Sequence, residues 1–142
     1  MITKEHIYEF IKKQKTAFVA SVDEDGFPNI KAMFTPRKID GNTFYFTTNT
    51  SSVRAGQFMQ NPKASIYFYH RGRFCYEGIM LIGTMEVLQD AKIKEEIWRP
   101  GDTIYYKQGV TDPDYCVLKF TAISGRHYCN LKSKSFNMED LE

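Results

Sequence analysis

Segments typical of β-strands make up most of this sequence, and short turn signals separate them. "TAFVASV" (16–22) and "NIKAMFT" (29–35) flank a "DEDG" turn, which predicts a β-hairpin. Four further strand-like segments follow: "TFYFTT" (43–48), "ASIYFYH" (64–70), "FCYEGIMLIGTMEVLQD" (74–90) and "YCVLKFTAI" (115–123, continuing toward Tyr128). Sequential strands joined by short turns pair antiparallel, so the pattern predicts a small closed or half-closed β-barrel.

Short helical segments lie between these strands. A first helix is predicted from an N-cap at Thr3 to about Gln14, and a second from Ser51 or Ser52 to an Asn-Pro stop. A third is predicted over residues 91–98. Residues 99–114, which are rich in Gly, Pro and Tyr, indicate a loop. From about residue 132 the chain has the composition of a solvated tail.

Length and charge narrow the class of protein. The 142 residues indicate a single domain over 1–142, in which about 132–142 form the tail. A formal charge of +2 from 19 basic and 17 acidic residues is too balanced for a nucleic-acid surface. The sequence has no run of 18 apolar residues, so no membrane span is predicted.

The three cysteines indicate reduced thiols. Cys75, Cys116 and Cys129 are odd in number and have no CxxC spacing, which disfavours a disulfide framework or a zinc site. We therefore expect a cytoplasmic protein, and no metal site is predicted.

One stretch, "FTTNTSSVRAG" (46–56), stands out for its polar chemistry. Arg54 ends a run of eight residues that also holds five hydroxyl groups, those of Thr47, Thr48, Thr50, Ser51 and Ser52. A helix N-terminus preceded by hydroxyls and carrying an arginine favours a phosphate. Lys31, on a neighbouring strand, would add a second charge. The alternative is an ordinary N-cap at Ser51 or Ser52, with Arg54 in solvent.

The histidines give little evidence for a catalytic site, and the familiar catalytic motifs are absent from the sequence. His6 is expected in solvent and His70 at a turn, whereas His127 is placed to approach a pocket. No Ser-His-Asp order, Walker loop or HExxH occurs, which disfavours hydrolases, NTPases and metalloproteases.

A colinear set of motifs suggests a family. "GFPNIKAMF", "FYFTTNTSSVRAGQFMQNPKASIYFY" and "GIMLIGTMEVLQD" occur in that order, followed by Trp98, a tyrosine-rich loop and "DPDYCVLKF". Over residues 5–128 this chain resembles the pyridoxamine 5′-phosphate oxidase-like superfamily of FMN-binding split barrels, in particular its general stress protein branch. The resemblance implies a mainly β fold, a six-stranded antiparallel split barrel with peripheral helices.

The resemblance also implies a cofactor site and a homodimer. FMN would lie at the subunit interface, and its phosphate would be held by Ser52 and Arg54. The backbone of Ala32, Met33 and Phe34 would run along the flavin ring. The other residues implied or suggested at the site are Lys31, Thr47, Thr48 and Trp98. For Trp98 two interpretations remain open: it stacks near the flavin with Tyr105 or Tyr106, or it covers the barrel or the dimer contact.

Departures from the family pattern bear on activity. The true oxidases have a lysine at Pro36, an arginine at Val53, a glutamine near Gly78 and a terminal Arg-Leu-His-x-Arg segment. This chain ends in "GRHYCNLKSKSFNMEDLE". Pyridoxamine phosphate oxidation is therefore not expected.

The leading interpretation is an FMN-dependent oxidoreductase acting on a small molecule. In such an enzyme the flavin carries the redox chemistry, which is why no catalytic acid or base can be assigned from the sequence. The alternative is a non-catalytic flavin or haem carrier with a stress-related role, or a split barrel that binds no cofactor.

Overall fold

The computed structural model describes residues 2–142, which contain three α-helices and eight β-strands. The helices are α1 (Lys4–Lys12), α2 (Val53–Gln60) and α3 (Ala91–Ile97). The strands are β1 (Thr16–Val22), β2 (Pro28–Phe34), β3 (Lys38–Asp40), β4 (Thr43–Asn49), β5 (Lys63–Arg71), β6 (Tyr76–Leu88), β7 (Tyr115–Cys129) and β8 (Lys132–Asn137).

All eight strands belong to one antiparallel sheet. Its order is β2-β1-β5-β6-β7-β4-β3, and β8 pairs with β7. The 15-residue β7 divides one of its edges between two partners, with β4 along its first half and β8 along its second. Among the described residues no ladder joins β2 to β3 or β4, so the curled sheet stays open. The mainly β split-barrel class predicted from the sequence is therefore confirmed, although with eight strands where six were expected.

The two additional strands are β3, which has only three residues, and β8. The expectation of a solvated tail from about residue 132 was wrong for β8. Its sequence, "KSKSFN", has polar, mostly exposed side chains and so lacks an apolar stripe, but its backbone pairs with β7 from Ser124 to Cys129. Met138, just after the strand, is 1% exposed and packs in the main core.

The main core lies inside the curled sheet. Alternate residues of the strands point inward because successive strand side chains face opposite sides. Helix α1 covers one end of the barrel with Ile7, Phe10 and Ile11, whose i, i+3, i+4 spacing places them on one face. They join a buried cluster that includes Phe44, Phe46, Phe68, Leu81 and Phe120.

A β-bulge bends the longest ladder of the sheet. The register between β6 and β7 shifts between Ile82 and Gly83. A Cβ atom at Gly83 would lie 1.9 Å from the carbonyl oxygen of Thr121, so only glycine fits where the two backbones approach this closely.

A second, smaller core lies on the outer side of the sheet. Ile97, Tyr106, Tyr115 and Val117 are buried there, and Trp98 packs against them. The segment expected to be a loop contains two short 3-10 helices, Asp102–Ile104 and Gly109–Thr111. The outer core holds this segment against the sheet, beside the opening between β2 and β4.

Candidate functional site

A cavity of about 330 Å³ lies between the edge strand β2 and the end of β4. Side chains from both strands, from the start of α2 and from the 99–114 segment line it. The lining residues are Thr16, Ala32, Met33, Phe34, Arg37, Thr47, Thr48, Asn49, Arg54, Tyr105 and Tyr106. Pockets that hold small molecules or cofactors are typically about 300–1,000 Å³, so this cavity has a suitable size.

The junction of β4 and α2 forms the polar end of the cavity. Ser52 is the N-cap of α2, and its Oγ accepts a hydrogen bond from the N–H of Ala55 at 3.1 Å. Thr48, which is 5% exposed, donates from Oγ1 to Ser52 Oγ at 3.4 Å. The first N–H groups of a helix have no intrahelical partners and carry a partial positive charge. This end of the cavity therefore favours an anion.

Arg54 brings a full positive charge to the same place. Its Nε atom is buried and has no hydrogen-bond partner among residues 2–142. Burial lowers the pKa of the Arg54 guanidinium from its ordinary value, because charge is costly away from water. No aspartate or glutamate among the described residues lines the cavity or pairs with Arg54. The guanidinium is therefore held in position without a counter-charge.

Lys31 lies in a smaller adjoining cavity of about 120 Å³, which Arg54 also lines. Gln57 of α2 lies there too, where it accepts from Ser21 Oγ and donates to Asn29 Oδ1 at 3.1 Å. These hydrogen bonds fix α2 against β1 and β2, and thereby fix the position of Arg54.

Two of the five hydroxyl-bearing residues in the 47–52 run have a different role. Thr50 donates from Oγ1 to the carbonyl of Pro113 at 3.1 Å, and the N–H of Ser51 donates to Asp114 Oδ1 at 2.8 Å. Asn49 also donates to Asp114, from Nδ2 to Oδ2 at 2.8 Å. Asp114 thus anchors the turn between β4 and α2, leaving Thr47, Thr48 and Ser52 closest to the cavity.

The opposite wall contains a second arginine that is already paired. Arg37 donates from both terminal nitrogens to the two carboxylate oxygens of Asp102, with an Nη2–Oδ1 distance of 2.7 Å. Burial opposes ionisation of Asp102, but hydrogen bonds from Arg37 and from the N–H of Arg99 outweigh it and lower the carboxyl pKa. The hydrogen bonds that Arg37 donates to Asp102 in turn raise the pKa of Arg37.

Aromatic rings border the rest of the cavity. Phe34 and Tyr105 lie with ring centroids 6.3 Å apart, and Tyr106 packs beside Tyr105. Burial raises the pKa of the Tyr106 phenol. The cavity therefore combines an electropositive, hydroxyl-rich end with an aromatic region, an arrangement suited to a ligand that joins a phosphate to an aromatic ring system.

A sequence model described as pyridoxamine 5′-phosphate oxidase matches residues 3–129. The chain belongs to the pyridoxamine 5′-phosphate oxidase family. A curated relative, the pyridoxine/pyridoxamine 5′-phosphate oxidase of Rhizobium leguminosarum bv. trifolii, is 32% identical over 74 residues. That match covers 52% of this chain and 34% of the relative, so the chain spans only about a third of the relative's length.

Solved structures extend the likeness over the whole chain. A protein of Clostridium acetobutylicum related to general stress protein 26 of B. subtilis, of the pyridoxinephosphate oxidase family, is 38% identical with a TM-score of 0.84. The match covers 97% of this chain and 96% of that one. A haem-binding protein of Mycobacterium smegmatis has a TM-score of 0.73 at 12% identity, covering 92% of this chain and 55% of that one. This second likeness shows the fold alone.

The structure brings together most of the residues that the resemblance to the pyridoxamine 5′-phosphate oxidase family implied. Met33, Phe34, Thr47, Thr48 and Arg54 all line the main cavity. Their role in binding a cofactor stays a prediction.

Three further predicted residues lie beside the cavity rather than in its lining. Ser52 caps α2 next to Thr48, and Lys31 lies in the adjoining cavity. Trp98 packs behind the cavity on Tyr106 and Tyr115, with ring centroids 6.1 and 5.2 Å away. Its contact with a cofactor likewise stays a prediction.

Three lining residues had no sequence-based assignment: Thr16, Arg37 and Asn49. Arg37 had one local signal, a basic residue directly after Pro36, where the true oxidases of the pyridoxamine 5′-phosphate oxidase family have a lysine. Its partner Asp102 is 65 residues away, so no local pattern connects them.

Two departures from the oxidase pattern have visible structural consequences. Val53 is 71% exposed and opens α2 without adding a charge. Gly78 lies against Tyr67, whose hydroxyl oxygen would be 2.3 Å from an added Cβ atom, so the tyrosine occupies the space of a side chain here.

Among residues 2–142, no helix has the length and apolar character required to cross a membrane.

Proposed function

We propose that the protein binds FMN in the cavity between β2 and β4 and acts as an oxidoreductase on a small molecule. One observation carries the proposal: the half-buried Arg54, whose Nε atom is buried without a hydrogen-bond partner among the described residues, lies at the hydroxyl-rich N-terminus of α2. A buried donor without a partner is costly, and a phosphate oxygen would satisfy it. The residues present fit the phosphate and the ring of FMN.

Each part of the cavity has a defined task in this proposal. Arg54 and Lys31 balance the phosphate charge, and Ser52 donates its hydroxyl hydrogen bond to it. Thr48, which donates to Ser52 in the structure, would turn its hydroxyl toward the phosphate when the ligand binds. Phe34 and Tyr105 border the flat ring and exclude water from one side of it. When bound, FMN supplies the electron-transfer chemistry, so the protein needs only to orient the reactants and exclude side reactions.

Membership of the pyridoxamine 5′-phosphate oxidase family supports the flavin, whereas the substrate is an inference. The chain covers about a third of the curated oxidase, and Pro36 and Val53 stand where the true oxidases have a lysine and an arginine. We therefore propose a substrate other than pyridoxamine phosphate, consistent with the likeness to the protein related to general stress protein 26.

Titration of the ligand-free protein with FMN and with riboflavin tests the cavity assignment. Riboflavin has the same ring and no phosphate, so FMN should bind more tightly by at least about 10- to 100-fold, the value of one charge-assisted contact. Equal affinities for the two ligands would show that the cavity makes no favourable contact with the phosphate. If neither ligand bound, the proposal of a flavin site would be wrong.

Turnover distinguishes the oxidoreductase from a non-catalytic flavin or haem carrier. FMN-loaded protein should consume NADH or NADPH in the presence of an electron acceptor, whereas a carrier would bind without turnover. The haem alternative draws on the shared fold of the mycobacterial haem-binding protein. As possible iron ligands the lining formed by the described residues offers Met33, Tyr105 and Tyr106, but neither a histidine nor a cysteine.

We further propose a cytoplasmic homodimer with one cavity wall supplied by the second copy. Phe27, Ile30 and Phe34, on or beside β2, are 67, 72 and 71% exposed, and such apolar patches mark interfaces. The unpaired thiols of Cys75, Cys116 and Cys129 suit a reducing compartment. Sedimentation should give a dimer at micromolar concentration, and Ile30→Glu should shift it toward the monomer and weaken FMN binding.

A further inference from the structure

Two histidines and a glutamate from three separate segments meet at the end of the barrel covered by α1. His6 belongs to α1, Glu77 to the start of β6 and His127 to the second half of β7. On the β6–β7 ladder Glu77 pairs with Cys129 and His127 with Ile79, so Glu77 and His127 lie diagonally on one face. None of the three lines the cavity proposed for FMN.

The three side chains converge on a single atom. Glu77 Oε2 lies 2.7 Å from His6 Nε2 and 2.6 Å from His127 Nε2. The two imidazole rings are perpendicular, with an interplanar angle of 83° and centroids 5.8 Å apart. One potential ligand atom from each residue lies within 4.8 Å of the other two.

We propose that His6, Glu77 and His127 form a binding site for a divalent transition metal ion of the Zn²⁺ type. Zinc binds imidazole nitrogen and carboxylate oxygen at about 2.0–2.2 Å, and two histidines with one glutamate form a known ligand set for it. Tetrahedral ligand atoms around such an ion lie about 3.3 Å apart. The distance from Glu77 Oε2 to each histidine Nε2 therefore has to increase by less than about 1 Å, which a side-chain rotation can provide.

Solvent access allows an ion to enter. The His6 side chain is 48% exposed, and those of Glu77 and His127 are 24 and 23% exposed. Three protein ligands leave a fourth position for water. The ion would join α1 to β6 and β7, since the ligands that meet at Glu77 are 71 and 50 residues away from it in sequence. Metal binding would therefore stabilise the docking of α1 on the barrel.

The test is a zinc titration of EDTA-treated protein by calorimetry, paired with thermal melts with and without Zn²⁺. Exposed thiols bind zinc by themselves, so the protein carries Cys75→Ser and Cys129→Ser throughout. One ion should bind per chain, and the melting temperature should rise with Zn²⁺ concentration. His6→Ala, Glu77→Gln and His127→Ala should each weaken binding by more than about 100-fold, since even residues behind metal ligands contribute about 10- to 100-fold.

His70 provides the matched control. It is an exposed histidine that pairs with Glu77 across the β5–β6 ladder but lies outside the three-residue cluster. His70→Ala should bind Zn²⁺ like the parent. FMN titration of every variant should be unchanged, because the two sites share no residue, so the metal proposal stands or falls independently of the flavin.

A purely hydrogen-bonded cluster gives a different result. In that case Glu77→Gln lowers the melting temperature in EDTA, and adding Zn²⁺ leaves the melting temperatures of the parent and of all its variants unchanged. That outcome, or equal zinc affinity in His6→Ala and the parent, would overturn the proposal. His6→Ala removes a half-exposed side chain, so it keeps the test decisive even if His127→Ala does not fold.

Discussion

Arg37 and Asp102 form a two-point ion pair across 65 residues of sequence, at the wall of the cavity. Their side chains are only 13 and 6% exposed. Arg99 strengthens the junction, since its N–H donates to Asp102 at 2.8 Å and its Nη2 donates to the carbonyl of Arg37 at 2.9 Å. The pair therefore fastens the 99–114 segment, with Tyr105 and Tyr106, to the connection between β2 and β3.

Asp102→Ala should lower the free energy of unfolding by about 3 kcal/mol, because it leaves a largely buried guanidinium without its partner. Urea denaturation measures the change. The double variant Arg37→Met, Asp102→Leu should recover most of the loss, since no isolated charge remains. A loss below about 1 kcal/mol in Asp102→Ala would contradict the assigned role of the pair.

The same pair predicts how stability depends on pH. The Asp102 pKa is lowered in the folded protein, so its contribution is fully present above the unfolded value of about 3.9. It is lost as the pH falls through the folded value. The urea concentration at the denaturation midpoint should therefore decrease as the pH is lowered below about 4. This decrease should be smaller in Asp102→Ala than in the wild type. An equal fall in both proteins would assign the acid sensitivity to other carboxylates.

Arg54→Ala should reduce the preference for FMN over riboflavin, because the lost contact is with the phosphate. The expected weakening of FMN binding is about 10- to 100-fold, with little change for riboflavin. Arg54→Lys should recover only part, because an ammonium group lacks the guanidinium fork. The ligand-free melting temperature should stay constant or rise, since a half-buried charge without a counter-charge is removed.

Arg73→Ala, which removes an exposed arginine outside the cavity, is the matched control and should bind both ligands normally. If Arg54→Ala bound FMN as tightly as the wild type, the phosphate would not contact Arg54, and the assignment of the phosphate site would be wrong.

Ser52→Ala separates capping from ligand binding. It removes the acceptor of the Ala55 N–H and should lower the free energy of unfolding by about 1 kcal/mol. Its effect on FMN affinity should be smaller than that of Arg54→Ala. Thermal melts without ligand and FMN titrations together measure both effects, and a ligand-free stability equal to the wild type would rule out the cap.

Two glycines should respond to alanine in opposite directions. Gly56, in α2, has no atom within 4 Å of an added Cβ, so Gly56→Ala should stabilise the protein by about 0.5–1 kcal/mol through helix propensity. Gly83→Ala places a Cβ 1.9 Å from a backbone oxygen and should cost at least about 1–3 kcal/mol. Similar melting temperatures for the two variants would contradict the close approach at the bulge.

Local patterns in the sequence predicted much of the fold. The hairpin of β1 and β2 follows from alternation around a turn. The hydroxyls before α2 predicted an N-cap at Ser51 or Ser52, and the structure places it at Ser52. Both features depend on residues near one another in the chain. The strand β8 escaped prediction because an edge strand needs only backbone pairing, which leaves no mark on a polar segment.

The site was only partly predictable for the same reason. The motif at 46–56 indicated an anion site, but it could not show that Asp114 engages Asn49 and Ser51. The Arg37–Asp102 pair and the cluster around Glu77 depend on residues that only the folded sheet brings together. Such contacts cannot be predicted from local patterns, because their partners lie far apart in the sequence.

The opening between β2 and β4 affects how such a protein can change over generations. Two unjoined sheet edges face each other there, so curvature of the sheet rather than a hydrogen-bond ladder sets the distance between them. Side chains on either edge can be replaced without breaking a backbone hydrogen bond. Under the proposed function, substitutions along these edges would therefore alter which ligand is bound while leaving the paired strands of the sheet intact.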